Sequence, residues 1–178
     1  MTYIISCSGD KSCLSREKTQ KSSINGLIAF PSLLQARTEL IEKLGKKLNW
    51  SETIPAHKLY TGKLYKKVNQ ENWKKERTDV LIVSALFGLL KHNELIPYYN
   101  VVMTDKIPGS DEIISTYWRK HNLNQYIINR NIVDLLFSKY RKAFNKQGNS
   151  IGEIPNVKWR DKYGTHKGEW LNEQLNRL

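Results

Sequence analysis

Three features of the sequence predict an α/β (α+β) fold: a single compact domain, residues 1–178, with a mixed β-sheet flanked by helices. Apolar runs of strand length recur at Tyr3–Cys7, Asp79–Ser84 and Ile132–Leu136, and segments with apolar residues at helical spacing alternate with them. No linker-like stretch or internal repeat divides the 178 residues. Composition agrees, since 39% hydrophobic and 26% charged residues exclude a disordered chain or a fibre.

Tyr3-Ile4-Ile5-Ser6-Cys7 reads as a buried strand that delivers a polar loop at its C-terminal end. The loop, from Ser6 to Asn25, is long enough to point to function. A capping box at Ser32–Gln35 and apolar residues Leu33, Leu34, Ala36, Leu40, Ile41, Leu44 and Leu48 predict a helix over 33–47. A second helix is expected within Tyr65–Lys75. Val80–Val83 is a run of four aliphatics, as a strand buried on both faces requires, and leads into a turn at Ala85–Leu90. Beyond Pro97-Tyr98-Tyr99, a strand is expected at Asn100–Met103. Ser110-Asp111-Glu112 opens a helix with Ile113, Ile114, Tyr117 and Trp118 on one face, and Asn122 opens the next. Ile132–Leu136 reads as a third buried strand, Ser138–Phe144 as a basic amphipathic helix, Val157–Trp159 as a short strand and Gly168–Leu178 as a terminal helix.

The formal charge is +12, from 29 Lys and Arg against 17 Asp and Glu, so a polyanionic partner is the first expectation; a Lys-rich composition inherited from an AT-rich genome is the alternative. The excess is clustered. Residues 58–77 hold seven cations against Glu71 and Glu76, and 139–146 hold four with no acid; Lys11–Lys21 and Lys158–Lys167 are also basic. Tyr60, Tyr65, Trp73, Tyr140, Phe144, Trp159 and Tyr163 lie among these cations, either as stacking partners for bases or as the buried faces of their elements.

No apolar run reaches the roughly 18 residues of a membrane span, and the N-terminus lacks a basic leader region, so a cytoplasmic location is expected. Cys7 and Cys13 have no Cys/His cluster nearby and read as reduced thiols. His57, His92, His121 and His166 are scattered, which fits surface or loop positions rather than a metal site. No metal and no cofactor are expected.

Cys7-Ser8-Gly9-Asp10-Lys11 places a thiol, a hydroxyl, a permissive glycine and an amine in one loop at a strand end, where open sheets keep their ligands; a buried Cys closing a strand is the plainer reading. Ser84–Gly88 is a second small-residue turn but has neither the glycine pair of a nucleophile elbow nor a phosphate-loop signature, which disfavours a Ser-His-Asp hydrolase.

Together these segments form an ordered series that resembles the peroxide-stress YaaA family. The resemblance rests on Cys7–Lys11, Leu59-Tyr60-Thr61-Gly62-Lys63-Leu64-Tyr65, Val83–Leu90, Ile96-Pro97-Tyr98, Met103, Tyr117-Trp118 and Asp134–Tyr140, covering residues 3–144. It implies a YaaA-type fold, a positively charged cleft, DNA binding and a role in limiting oxidative damage. The helix-hairpin-helix element associated with that family finds only a partial echo at Leu44-Gly45-Lys46-Lys47. The first loop alone also resembles the Cys-x-x-x-Lys motif of archaeosine synthases, which act on a modified guanine.

The leading expectation is therefore nucleic-acid binding, DNA ahead of RNA, with Lys11, Lys63, Lys66, Lys67, Lys139 and Arg141 on phosphates and Gly62 in the ligand-binding loop. The rival is an enzyme acting on a nucleobase or nucleoside, with Cys7, Lys11 and Ser84 as catalytic candidates and Tyr60, Ser84 and Tyr98 shaping the pocket; scaffolding of the loop cluster is the plain reading of these five. A basic RNA-associated protein is the third possibility. If the loops after Cys7, Tyr60, Ser84 and Pro97 converge on one pocket containing Lys11, the enzyme is favoured; if they spread along an open groove, the binder is.

Overall fold

The computed structural model describes residues 1–12, 18–155 and 164–178. Its centre is a four-stranded sheet in the order β4-β3-β1-β6, built from β1 (Thr2–Ser6), β3 (Val80–Ser84), β4 (Gly88–Lys91) and β6 (Ile132–Asp134). β1 pairs in parallel with both β3 and β6, while β3 and β4 form an antiparallel hairpin, so the sheet is mixed. Every residue of β1 and β3 is buried, as expected of apolar runs covered on both faces. A separate antiparallel pair joins β2 (Thr53–Pro55) to β5 (Leu95–Pro97). Helices α1 (Leu34–Lys43), α2 (Ala56–Leu59), α3 (Gln70–Lys74), α4 (Ile114–Lys120), α5 (Ser138–Arg141) and α6 (Thr165–Asn176) complete the domain. No described helix is long and apolar enough to cross a membrane.

The elements fall near their expected places, with boundaries moved by local hydrogen bonding. α1 is preceded by a 3₁₀ turn, Pro31–Leu33, without the expected capping box; the Ser32 hydroxyl bonds to Tyr126 Oη at 2.8 Å instead. It stops short of 47 because Lys46 N–H donates to Ile41 O and Gly45 N–H to Glu42 O, a Schellman closure. The helix expected within Tyr65–Lys75 is split in two: a 3₁₀ turn at Tyr65–Lys67, then an extended Val68 and Asn69, whose side chain caps α3 by accepting from Glu71 N–H at 3.1 Å. The strand expected at Asn100–Met103 is absent. β5 forms earlier, and Val102 N–H is taken by the Asp105 carboxylate at 2.8 Å in a turn. α4 starts at Ile114 rather than Ser110 because the preceding backbone is folded back on itself, with Lys106 bridged to Ile113, Ile107 N–H donating to Glu112 O at 2.8 Å and Ile114 N–H to Asp105 O at 3.0 Å; Asp111 and Glu112 pair with Lys106 and Lys120. β6 is shorter than expected, ending at Asp134, and α5 is only four residues. The strand expected at Val157–Trp159 lies outside the described residues, as do Cys13 and Tyr163.

Three elements were not expected from the sequence: β2, α2 and, in the central sheet, β4. The turn into it is tied by Ser84 Oγ, which accepts from Phe87 N–H at 3.1 Å, and by Ala85 O, which accepts from the fully buried Trp118 Nε1–H at 2.7 Å. Gly88 sits at φ +69°, and a Cβ there would lie 2.9 Å from the Trp118 ring, so only glycine closes this hairpin.

His57 and His92 correct the surface reading of the histidines. Both are buried against Trp73, His57 stacked on its ring at 5.2 Å, with His57 Nδ1–H donating to His92 O at 2.9 Å and His92 Nε2–H to Trp73 O at 3.0 Å. His121 is half-buried against Tyr117. Among the described residues no cluster of His, Cys, Asp or Glu could hold a metal ion.

Candidate functional site

The parallel strands β1, β3 and β6 all end on one edge of the sheet, and the chain departs to opposite sides of β1, so the loops after Ser6, Ser84 and Asp134 meet where open α/β sheets bind ligands. The first loop is stitched to the segment after α2. Lys11 forms an isolated bridge with Tyr60, Ser12 N–H donates to Leu59 O at 2.7 Å, and Thr61 N–H donates to Asp10 O at 3.0 Å. Gly62 packs closely beside it, since a Cβ there would lie 2.3 Å from Ser8 Oγ and the Ser8 side chain would have to move. Tyr65 Oη donates to Ser6 O at 2.9 Å, and Phe137 N–H donates to Ser6 Oγ at 3.0 Å. Three chain segments are thereby clamped around the end of β1.

Beneath Lys11 the hydroxyls of Tyr60, Tyr99 and Ser84 form a chain, with Tyr60 to Tyr99 at 2.7 Å and Tyr99 to Ser84 at 2.9 Å. Burial, reinforced by the neighbouring Cys7, raises both tyrosines well above their ordinary pKa, so the chain is neutral. Lys11 Nζ lies 4.5 Å from the centre of the Tyr99 ring. Burial lowers its pKa, partly offset by Cys7 and Asp10. Cys7 is buried, with Sγ 3.4 Å from Tyr140 Oη.

Two clefts open on either side of the Lys11–Tyr60 bridge and share Tyr65. One, about 250 Å³, is lined by Ser6–Asp10, Gly62–Tyr65, Phe137, Lys139 and Tyr140. The other, about 430 Å³, is lined by Ser12, His57, Lys58, Tyr60, Thr61, Tyr65, Lys66 and Gln70. Four lysines, Lys58, Lys63, Lys66 and Lys139, face these clefts against a single acid, Asp10.

The loops singled out in the sequence meet around Lys11 but not in one pocket, because Lys11, Ser84 and the segment after Pro97 line neither cleft, so the single pocket that would favour the enzyme is not formed; two residues also change role. Tyr98 is 50% exposed and lines neither cleft; its neighbour Tyr99 enters the cluster, since adjacent residues of an extended segment point opposite ways. Ser84 is fully buried and its hydroxyl is occupied by Phe87 N–H and Tyr99, which makes it a support of the site. Of the phosphate candidates, Lys63 and Lys139 line the smaller cleft, Lys66 the larger, and Lys11 lies between them. Lys67 instead pairs with Glu169 at 2.8 Å. Arg141 Nε–H donates to Asp134 at 2.8 Å; that buried carboxylate also accepts from Leu136 N–H, Ser150 Oγ–H and Ile151 N–H. Lys167 turns inward as well, donating to Leu135 O and Leu136 O, and burial followed by the nearby Arg141 lowers its pKa to about 8. Tyr60, Tyr65, Trp73, Tyr140 and Phe144 are buried, so their rings serve the core. Sequence reasoning missed Lys58, Asp10 and Phe137 as site residues. Phe137 and Tyr140 stand at the end of the Asp134–Tyr140 motif, and the spacing from their strand was the available signal.

The fold and site define a small α/β domain with paired lysine-rimmed clefts at the C-terminal edge of a mixed sheet. Residues 1–168 match the family described as peroxide stress protein YaaA, and the chain belongs to that family. It is 25% identical over 121 residues to a UPF0246 protein of Streptococcus equi subsp. equi, covering 62% of this chain and 50% of that one. It is 28% identical over 99 residues to the UPF0246 protein SUB1767 of Streptococcus uberis, covering 52% and 40%. With the uncharacterized protein Cj0984 of Campylobacter jejuni it shares 30% identity over 112 residues, covering 58% and 45%. The chain therefore spans about half the length of these curated relatives.

Proposed function

We propose that this domain binds nucleic acid, with DNA preferred over RNA, along the lysine-rimmed clefts, and that it serves in the peroxide-stress response for which its family is described. The observation that carries the reading is the lining: four lysines and one acid on two adjoining recesses. Each lysine that neutralises a phosphate contributes roughly −0.9 to the slope of log affinity against log salt. Anisotropy titrations of a labelled duplex are expected to show a slope of roughly −4, and Lys63→Ala with Lys139→Ala to reduce its magnitude by about 2. Affinity that is flat with salt overturns the reading, and RNA that outcompetes duplex DNA overturns the preference for DNA.

A second reading, an enzyme acting on a nucleobase or nucleoside, is favoured by one arrangement: Lys11, with its pKa lowered by burial, and Cys7, lining the smaller cleft, stand at the convergence of the loops. The hydroxyls of Tyr60, Tyr99 and Ser84 are occupied with one another, so Cys7 and Lys11 carry this alternative. Cys7→Ala is then expected to abolish turnover of a modified base while duplex affinity stays unchanged. Retained turnover eliminates Cys7 as nucleophile.

A further inference from the structure

We infer that the smaller cleft receives a single unstacked nucleobase, and that Asp10 selects guanine there. The inference rests on the nucleic-acid reading and names what the cleft holds. At about 250 Å³ the recess lies below the roughly 300–1,000 Å³ of pockets that take drug-sized ligands, which leaves room for a heterocycle of nucleobase size. A base reaches such a recess only by leaving the stack, from a bulge, a single strand or an extruded position.

The walls are fixed in place before any ligand arrives. Tyr65 and Phe137 are both bonded to Ser6, Tyr140 Oη contacts Cys7 Sγ, and Gly62 is pressed against Ser8. Phe137, half-buried and with Lys167 Nζ 4.6 Å from its ring centre, gives the apolar surface for a heterocycle, and Lys63 and Lys139 line the same recess, where the flanking phosphates of an extruded nucleotide lie. Asp10 is exposed and is the sole carboxylate of the lining. An ionised carboxylate only accepts hydrogen bonds. Among the common DNA bases, guanine alone presents two adjacent N–H donors, at N1 and N2, on its Watson–Crick edge. Thymine presents one N–H between two carbonyls, and adenine and cytosine set an amino group beside a bare ring nitrogen. A two-point fit to Asp10 is therefore specific to guanine.

The test uses the full chain and labelled duplexes of one sequence: fully paired, or carrying one extrahelical deoxyguanosine, deoxyinosine or thymidine. The guanine bulge is expected to bind about tenfold more tightly than the paired duplex, within the range for a good bidentate contact. Inosine, lacking the 2-amino group, should lose most of that gain, and thymidine all of it. Asp10→Asn should bring the bulged and paired duplexes to equal affinity, and circular dichroism should show an unchanged fold for this exposed loop residue. Equal affinity for guanine and thymidine bulges, or a gain that survives Asp10→Asn, overturns the inference. Loss of all binding, paired duplex included, sinks the nucleic-acid reading instead. In that event deoxyguanosine monophosphate titrated against thymidine monophosphate decides the cleft, and equal response to the two overturns it.

Discussion

Arg37→Leu is expected to destabilise the fold by about 3–5 kcal/mol, measured as a fall in the urea midpoint with an unchanged slope. Arg37 is fully buried on α1, and its guanidinium donates to Phe87 O at 2.9 Å, Leu89 O at 2.7 Å, Leu27 O at 3.1 Å and Phe30 O at 3.4 Å. Burial lowers its pKa to about 10, offset in part by Glu94, so it remains a cation at neutral pH. Leucine would match the stem and abandon the carbonyls of Phe87, Leu89 and Leu27, each costing about 1–3 kcal/mol when left unpaired, with water entry limiting the total; Phe30 O keeps the Leu33 N–H at 3.0 Å. Lysine should rescue little, because a single ammonium cannot serve acceptors spread as widely as a planar fork does. A midpoint within experimental error of the parent would show that α1 and the β3–β4 turn are held by apolar packing alone.

The second large effect is a loss of stability in acid. Burial is the main cause that lowers the His57 pKa to about 4, and Lys58 and His92 add to it against the favourable bond to His92 O. His92 is lowered as well, again chiefly by burial. The unfolded chain, with histidine near 6.5, binds protons that the folded chain refuses. Stability from this source is complete above pH 6.5 and is lost as the pH falls toward 4, by about 3 kcal/mol for His57 alone. Urea midpoints of the parent and of His57→Gln, followed from pH 7 to pH 4, should converge at the acid end. Parallel curves would show that the ring accepts its proton without cost.

How much of this could be read in the chain depended on whether the signal was local. The strands at Ile4, Ile82 and Val133 were legible because uninterrupted aliphatic runs have few other ways to be buried. β4 was not, because the Ala85-Leu86-Phe87-Gly88 turn lacks the usual hairpin residues and depends on Trp118, thirty positions away. The same division holds at the site. Cys7, Lys11, Tyr60 and Gly62 were found because they fall in the contiguous motifs Cys7–Lys11 and Leu59–Tyr65, which can be read locally. The choice of Tyr99 over Tyr98 depended on which way one side chain points, and the occupation of Arg141 depended on Asp134 being fully buried, a tertiary fact. Charge counting located the basic segments but could not separate Lys63 and Lys139, which face a cleft, from Lys67 and Lys167, which hold the chain together.

The placement of β1 governs how the domain can assemble. β1 is, with β3, one of the two inner strands, and its own partners are residues 80–83 and 132–134. Its two flanks can be satisfied only after most of the chain is available, so the order of synthesis and the order of burial run opposite to each other. Contacts of such long sequence separation slow the search for the native state, and they leave an apolar strand with two open edges until late. The loop that carries Cys7 and Lys11 inherits that timing. Its ties to Phe137 and Tyr140 form only once β6 has docked, so the loop is set late in the folding of these residues.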